Sequence, residues 1–241
     1  MEKTPDLLAL LTKLHRLHGL SDEDRAAFES LPLRTVTIAA GKDIVRVAEQ
    51  AGGCAIILEG LAFGYKLTGD GQRQILCLHL AGDLPDLQSL HFGTTDTGVG
   101  ALSACRVGYV SYDVLKGLCS QRPSLTTVLW RETLLQAAII REWLLNVGQR
   151  DALVSLSHLL CEIVIRHRVA GLTSDYSCSF PFTQTSLGDA LGLSTVHVNR
   201  MVQMLRADGL IEWERRHLTV LDWDRLCVLA DFQPTYLHLD R

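Results

Sequence analysis

The stretch from Phe182 to Leu205 holds the residues whose types and spacing point most directly to chemistry. Two helices that cross at roughly a right angle through a three- or four-residue turn need a small residue where they touch and a glycine in the turn. Gly188 and Gly192 meet both needs, while Leu187, Leu191, Leu193, Val198 and Met201 supply apolar faces that lock the pair. Ser194, Thr195, Val196, His197, Asn199, Arg200 and Gln203 are left to divide between solvent and a groove. Short polar or fork-shaped side chains near a helix start suit base edges, so the chemistry is recognition of double-stranded DNA. Beyond them, Gly209-Leu210-Ile211-Glu212-Trp213 and His217-Leu218-Thr219-Val220-Leu221 read as two strands around Glu214-Arg215-Arg216, a wing with two arginines available for phosphate. The competing reading is an ordinary helical hairpin on a small sheet. Small residue, turn glycine and apolar lock at these offsets favour the helix-turn-helix.

Such a reading head must be held by something. Leu125 to Val147 carries one apolar stripe through Val128, Leu135, Ala138 and Leu145 and a second through Trp130, Ala137, Ile140, Leu144 and Val147. A helix apolar on two sides needs two partners: its own β-domain, and the same helix of a second copy packed as a coiled coil. Val128, Leu135, Ala138 and Leu145 are assigned to the second copy. Gly148 then breaks the pattern and serves as a hinge, and Asp151 caps a helix from Ala152 to His167. A single kinked helix buried within one subunit is the alternative.

The front of the chain has another texture. Leu7, Leu10, Leu11, Leu14 and Leu17 lie at helical spacing, and Ser21 with Asp24 fits a cap, so two short helices are expected between Pro5 and Leu31. Short β-branched or aromatic runs follow at Thr35–Ile38, Ala55–Leu58, Ala62–Leu67, Gln74–Leu80 and Arg106–Val110, with Gly69-Asp70-Gly71 as a hairpin signal. Many short strands at near-regular spacing predict a jelly roll. The expected organisation is α+β: a β-roll sensor over residues 1–118, a dimerisation helix and hinge over 119–149, and a winged helix-turn-helix over 150–241.

Composition narrows the partners. A formal charge of -4 on 241 residues excludes a generally basic nucleic-acid coat, so DNA affinity must come from a local surface. The seven cysteines are scattered without a C-x-x-C, which argues for reduced thiols over a disulfide framework or zinc ribbon. The N-terminus reads as no signal peptide, and no apolar run approaches the roughly 20 residues that span a bilayer. A cytoplasmic protein without a membrane partner is expected. No G-x-S-x-G, H-E-x-x-H, P-loop or paired-carboxylate motif is present, which argues against an enzyme.

The chain resembles the CRP/FNR regulators over nearly its whole length. The matches are Gly192-Leu193-Ser194 with Thr195-Val196-His197-Val198-Asn199-Arg200, and Leu205-Arg206-Ala207-Asp208-Gly209-Leu210-Ile211. Ile57-Leu58-Glu59-Gly60, Gly71 and Ala81-Gly82-Asp83-Leu84 look like the family's cyclic-nucleotide-binding-type β-roll. The segments Gly82–His91 and Asp231–Leu237 are most similar to alphaproteobacterial members. The resemblance implies a homodimer with a long central helix, binding to double-stranded promoter DNA, and RNA polymerase as a protein partner. By position, Arg200 matches the family's guanine-reading arginine, with Thr195, Val196 and Asn199 at neighbouring reading positions and Ser194 and Gln203 beside them. Thr183 and Thr185 match phosphate-contacting positions. Val196 stands where the best-known branches carry glutamate, so their half-site is not carried over.

The effector stays open, and there could be none. The cyclic-AMP branch uses a glutamate after glycine and an arginine about ten residues later. Here Asp83 follows Gly82, and no Lys or Arg occurs from Gln74 through Cys105. A cyclic phosphate buried without a cation would be costly to desolvate, which argues against cyclic AMP in that pose. The first cysteine is Cys54, against the iron-sulfur branch's N-terminal cluster. Cys77 and His79, two apart on a strand, share a face and are read as packing rather than a haem or zinc site. Lys66 and Arg73 are read as solvated strand-edge charges, and His15 and His18 as surface histidines. The rival to a DNA-binding regulator is a β-roll sensor of cyclic nucleotide or haem that signals through protein contacts.

Overall fold

The computed structural model describes residues 7–47 and 53–239, so the start of the chain, read above as lacking a signal peptide, lies outside the described residues. Helix α1 (Leu8–His18) buries Leu10, Leu11, Leu14 and Leu17, the predicted leucine face, and α2 (Asp22–Glu29) starts where the Ser21 side chain accepts the Asp24 N–H. Both pack on the roll that follows.

Two antiparallel sheets build that roll. One runs β1 (Arg34–Ile38), β7 (Cys105–Val110), β3 (Cys54–Glu59) in spatial order. The other runs β2 (Asp43–Val45), β6 (Gly98–Ala101), β4 (Ala62–Leu67), β5 (Arg73–His79). The five strands expected from β-branched runs are present within a residue or two. Strands β2 and β6 carried too little signal, being three and four residues long, and β6 contains two glycines. Ala55, Ile57, Ala62, Val99, Ala101, Cys105 and Val107 fill the space between the sheets. The short helix α3 (Ser89–Phe92) follows β5.

Helix α4 (Tyr112–Gln121) was not foreseen, and it corrects the expected sensor boundary after residue 118, which would cut it. Leu115 of α4 is buried in the same cluster as Leu10, Leu14 and Phe28, so α4 packs with the roll and its leading helices. The chain turns at Arg122, where Pro123 opens α5 (Pro123–Gly148). Asp151 then accepts from the N–H groups of Leu153 and Val154 and starts α6 (Ala152–Val169).

The central helix corrects the assignment of its two stripes. Val128 and Ala138 are buried inside the single chain and Leu135 is half-buried, because this side of α5 covers the chain's own core. Of the stripe assigned to a second copy, only Leu145 is exposed. The open side carries Trp130 at 66 % exposure and Leu144 at 71 %, with Leu134, Ile140 and Val147 beside them. Gly148 is the last residue of α5.

One buried carboxyl makes a direct prediction. Asp86 has no exposure, accepts the Ala55 N–H at 2.8 Å and the Tyr112 hydroxyl at 3.3 Å, and burial pushes its pKa from 3.8 up to about 6. The folded chain therefore holds a proton that the unfolded chain releases near pH 4. The stability from this group is complete below that pH and lost as pH rises through about 6. Asp86→Asn should raise stability at pH 8 by about 2–3 kcal/mol, at 1.36 kcal/mol per pK unit, and leave it unchanged at pH 4. Thermal melts at the two pH values test this, and an equal shift at both would contradict it.

Candidate nucleic-acid interface

Helix α7 (Gln184–Leu191) and helix α8 (Thr195–Ala207) form the expected pair. Gly192 ends α7 at φ +67°, a conformation that side chains disfavour. At Gly188 a Cβ would lie 2.5 Å from the carbonyl oxygen of Leu193, so only glycine lets the turn come this close. Leu187, Leu191, Val198 and Met201 are buried between the helices and the rest of the core, with Leu193 half-buried.

The hydroxyls at the two helix starts have structural work. Thr183 caps α7, accepting the Ser186 N–H at 3.1 Å, while the Thr183 N–H donates to Ser186 Oγ at 2.9 Å. Ser194 caps α8 by accepting the His197 N–H at 3.3 Å. Both residues remain exposed, as do Thr185, Thr195, Val196, Asn199, Arg200 and Gln203. All eight residues singled out by sequence thus lie at the surface of one helix pair. Val196, an apolar side chain at 79 % exposure, stands out on the first turn of α8.

Two contacts add residues to this face. Gln184 Nε2 donates to Asn199 Oδ1 at 2.9 Å, tying the start of α7 to α8. Arg200 Nη2 lies 3.2 Å from His197 Nε2, one turn back on α8. The second pair follows helical i, i+3 spacing. The first, fifteen positions apart, depends on the crossing of the helices and has no local sequence signal.

The wing is a three-stranded sheet in the order β8 (Ser177–Ser179), β10 (His217–Val220), β9 (Ile211–Glu214). Glu214 pairs with His217, leaving Arg215 and Arg216 as a two-residue turn at φ +48° and +67°. Such turns favour Asn-Gly because both central residues sit in the left-handed region. Two exposed arginines there accept backbone strain at the tip of a hairpin. Arg206 is held back to the Trp213 carbonyl of β9.

The sensor side holds a buried ionic cluster. Asp83, on the loop after β5, accepts from Lys13 Nζ at 2.9 Å, Arg166 Nη2 at 2.8 Å and the Leu80 N–H at 2.8 Å. Burial alone would raise its pKa, but Lys13 and Arg166 outweigh it and hold the carboxyl well below the usual range. Lys13 also pairs with Glu132, which receives His18 Nε2 at 2.8 Å. One earlier reading is corrected here, since the His18 side chain is buried on α5; Arg73 is exposed as expected, and it also pairs with Asp189 of α7 at 2.7 Å. Sequence separation hid both. Lys66 pairs with Asp96 at the surface, and His15 is exposed.

Cys77 Sγ and His79 Nε2 lie 3.4 Å apart, both buried, with the thiol pushed up to about 12 and the imidazole down to about 4 by burial. Among the described residues no three His, Cys, Asp or Glu side chains gather where they could hold a metal ion. Among the described residues the cysteines do not gather as an iron-sulfur cluster would require. Nor do the residues fit a cyclic nucleotide held at Asp83, whose oxygens are already taken by donors from α1, α6 and the backbone. No described helix is long and apolar enough to cross a membrane.

A two-sheet roll, a long helix and a winged helix pair are the architecture of a helix-turn-helix regulator. The Crp-like helix-turn-helix domain matches residues 154–229. The chain is 23 % identical over 215 residues to the transcriptional activator protein Anr of Pseudomonas aeruginosa, covering 89 % of this chain and 88 % of that one. It is 27 % identical over 194 residues to the transcriptional activator protein FnrL of Cereibacter sphaeroides, covering 78 % and 76 %. FixK2 of Bradyrhizobium japonicum shares the fold with a TM-score of 0.72 at 23 % identity, covering 83 % of this chain and 98 % of that structure. These matches support a DNA-binding transcriptional regulator similar to the CRP/FNR proteins, carrying a Crp-like helix-turn-helix domain.

Proposed function

We propose that this regulator acts as a homodimer that reads a two-fold symmetric promoter site, with α8 in the major groove and no cyclic nucleotide or metal cofactor. The observation that carries the reading is the grouping of Thr195, Val196, Asn199, Arg200 and Gln203 on the exposed side of a helix locked by Gly188 and Gly192. Arg200 offers two donors to the O6 and N7 acceptors of guanine, Asn199 suits adenine, and Val196 suits a thymine methyl. Thr183, Thr185, Ser194 and the wing arginines lie where phosphate contacts would set register without reading sequence.

The dimer reading rests on α5. Trp130, Ala137 and Leu144 fall seven apart, and Thr133, Ile140 and Val147 repeat the same interval three residues on, the a and d spacing of a coiled coil. This replaces the Val128, Leu135, Ala138 and Leu145 assignment. The proposed units are a sensor ending near residue 122, a dimerisation helix to the Gly148 hinge, and a DNA-binding unit from residue 150. Relatives named as transcriptional activators support RNA polymerase as a partner at the promoter, a cytoplasmic location and a non-enzymatic role.

Selection of bound sequences from a random DNA pool by the purified protein, at two salt concentrations and without added ligand, tests the function. A palindrome with half-sites about one helical turn, roughly 34 Å, apart is expected, with retention falling steeply as salt rises. Enrichment of no sequence at either salt, with ligand-free protein that is folded and dimeric, would reject ligand-independent reading.

A further inference from the structure

The sensor and the DNA-reading unit touch through charged groups that the reading face does not use. On the surface, Arg73 of β5 directs Nε and Nη2 onto Asp189 Oδ2 of α7, at 2.9 and 2.7 Å. Its guanidinium also lies over the Phe63 ring of β4, 5.1 Å from the centroid, so the arginine is fixed on its own hairpin. The neighbouring Gln74 side chain donates to the Ala190 carbonyl at 3.2 Å.

A second contact lies in the interior. Arg166 of α6 gives Nη2 to both Asp83 Oδ2 and the Leu78 carbonyl, each at 2.8 Å, and Nη1 to Glu162 at 3.1 Å. Glu162 in turn receives Trp143 Nε1 of α5 at 3.1 Å and the Tyr236 hydroxyl at 2.9 Å. Between the two contacts, Ile75, Leu78 and Leu80 of the hairpin side share one apolar core with Leu187, Leu191 and Val198 of the helix pair.

We infer that the β4–β5 hairpin and the loop that follows it form a clamp in which Arg73–Asp189 and Asp83–Arg166 act as positioning pairs that fix the orientation of α7 and α8 on the sensor. The inference rests on α8 being the reading helix of a dimer. One contact would be a pivot. Two contacts on different helices, α7 and α6, fix rotation as well as position, and in a two-fold dimer the pair of clamps fixes the spacing of the two reading helices. The clamp makes that spacing a property of the chain, with no bound small molecule required to set it.

The surface pair gives the cleaner test, because breaking the interior pair strands a buried charge and threatens folding. Exposed ion pairs contribute little to stability, so Arg73→Asp and Asp189→Arg should fold normally, and the double variant restores opposite charges. The full-length variants are titrated against one half-site and against palindromes whose half-sites are moved apart one base pair at a time. Each single variant should bind a lone half-site within about threefold of the parent, yet lose about tenfold at the preferred spacing and accept neighbouring spacings. The doubly exchanged protein should recover the parental preference. Spacing preference, unlike affinity, does not respond to an added surface charge alone, so it separates positioning from general electrostatics. Folded single variants that keep the parental spacing preference, or a double variant that does not recover it, would overturn the clamp. A parent that binds no half-site would overturn the reading helix itself, a result distinct from either.

Discussion

Glutamate at both Ile140 and Leu144 should leave a folded chain that no longer pairs. These two side chains sit on the open side of α5, Ile140 at 43 % and Leu144 at 71 % exposure, so their exchange spares the buried core of the chain. In a parallel pair they would occupy adjacent a and d layers, where each residue faces its own copy. Four carboxylates would then meet in one desolvated seam, and unpaired buried charge is among the most destabilising features an interface can hold. Light scattering should give the 26.7 kDa of a single chain at micromolar concentration. Affinity for the palindrome should fall by about 10²–10⁴, because the second half-site loses the high effective concentration that linkage supplies. Glutamate at Val128 or Ala138 should behave differently, unfolding the chain instead of dissociating it, since both are buried within one subunit. A dimer that survives the Ile140 and Leu144 exchange would move the interface elsewhere.

Arg200→Ala should cost about 1–3 kcal/mol of specific binding, roughly 5- to 150-fold, and flatten the preference at a single base pair in each half-site. The guanidinium is exposed and lies 3.2 Å from the part-exposed His197 ring, so truncation strands no buried partner among the described residues. Stability should therefore be unchanged. Arg215→Asn with Arg216→Gly provides the contrast. That exchange relieves two residues held at positive φ, each costing about 1 kcal/mol or more, and should raise the melting temperature. It should also weaken binding to all sequences alike and make the salt dependence shallower, as expected for lost phosphate contacts. Titrations against specific and scrambled DNA at several salts measure both. Arg200→Ala with an intact base preference would remove that residue from the reading face.

Much of this was legible in the residues because it is local. The caps at Ser21, Asp151, Thr183 and Ser194 each join a side chain to a backbone group within three residues, and the leucines of α1 follow helical period. The turn at Gly192 and the contact at Gly188 follow from the crossing of adjacent helices, so the reading pair and its exposed side chains could be read from order alone. Short strands such as β2 and β6 could not, since three or four residues with two glycines carry too weak a pattern.

What the sequence by itself determined, then, was the order of the longer strands and helices, the helix-turn-helix and the presence of two apolar stripes on the central helix. Only the tertiary structure decided which stripe faces outward, because both are equally apolar and the choice depends on which side the sensor and α6 cover. The same holds for Asp83, which lacks a cation among its chain neighbours yet is paired by Lys13 and Arg166, 70 and 83 positions away. Long-range ion pairs leave no periodic trace, since a charge buried by folding needs only a partner in space, and any part of the chain can supply it.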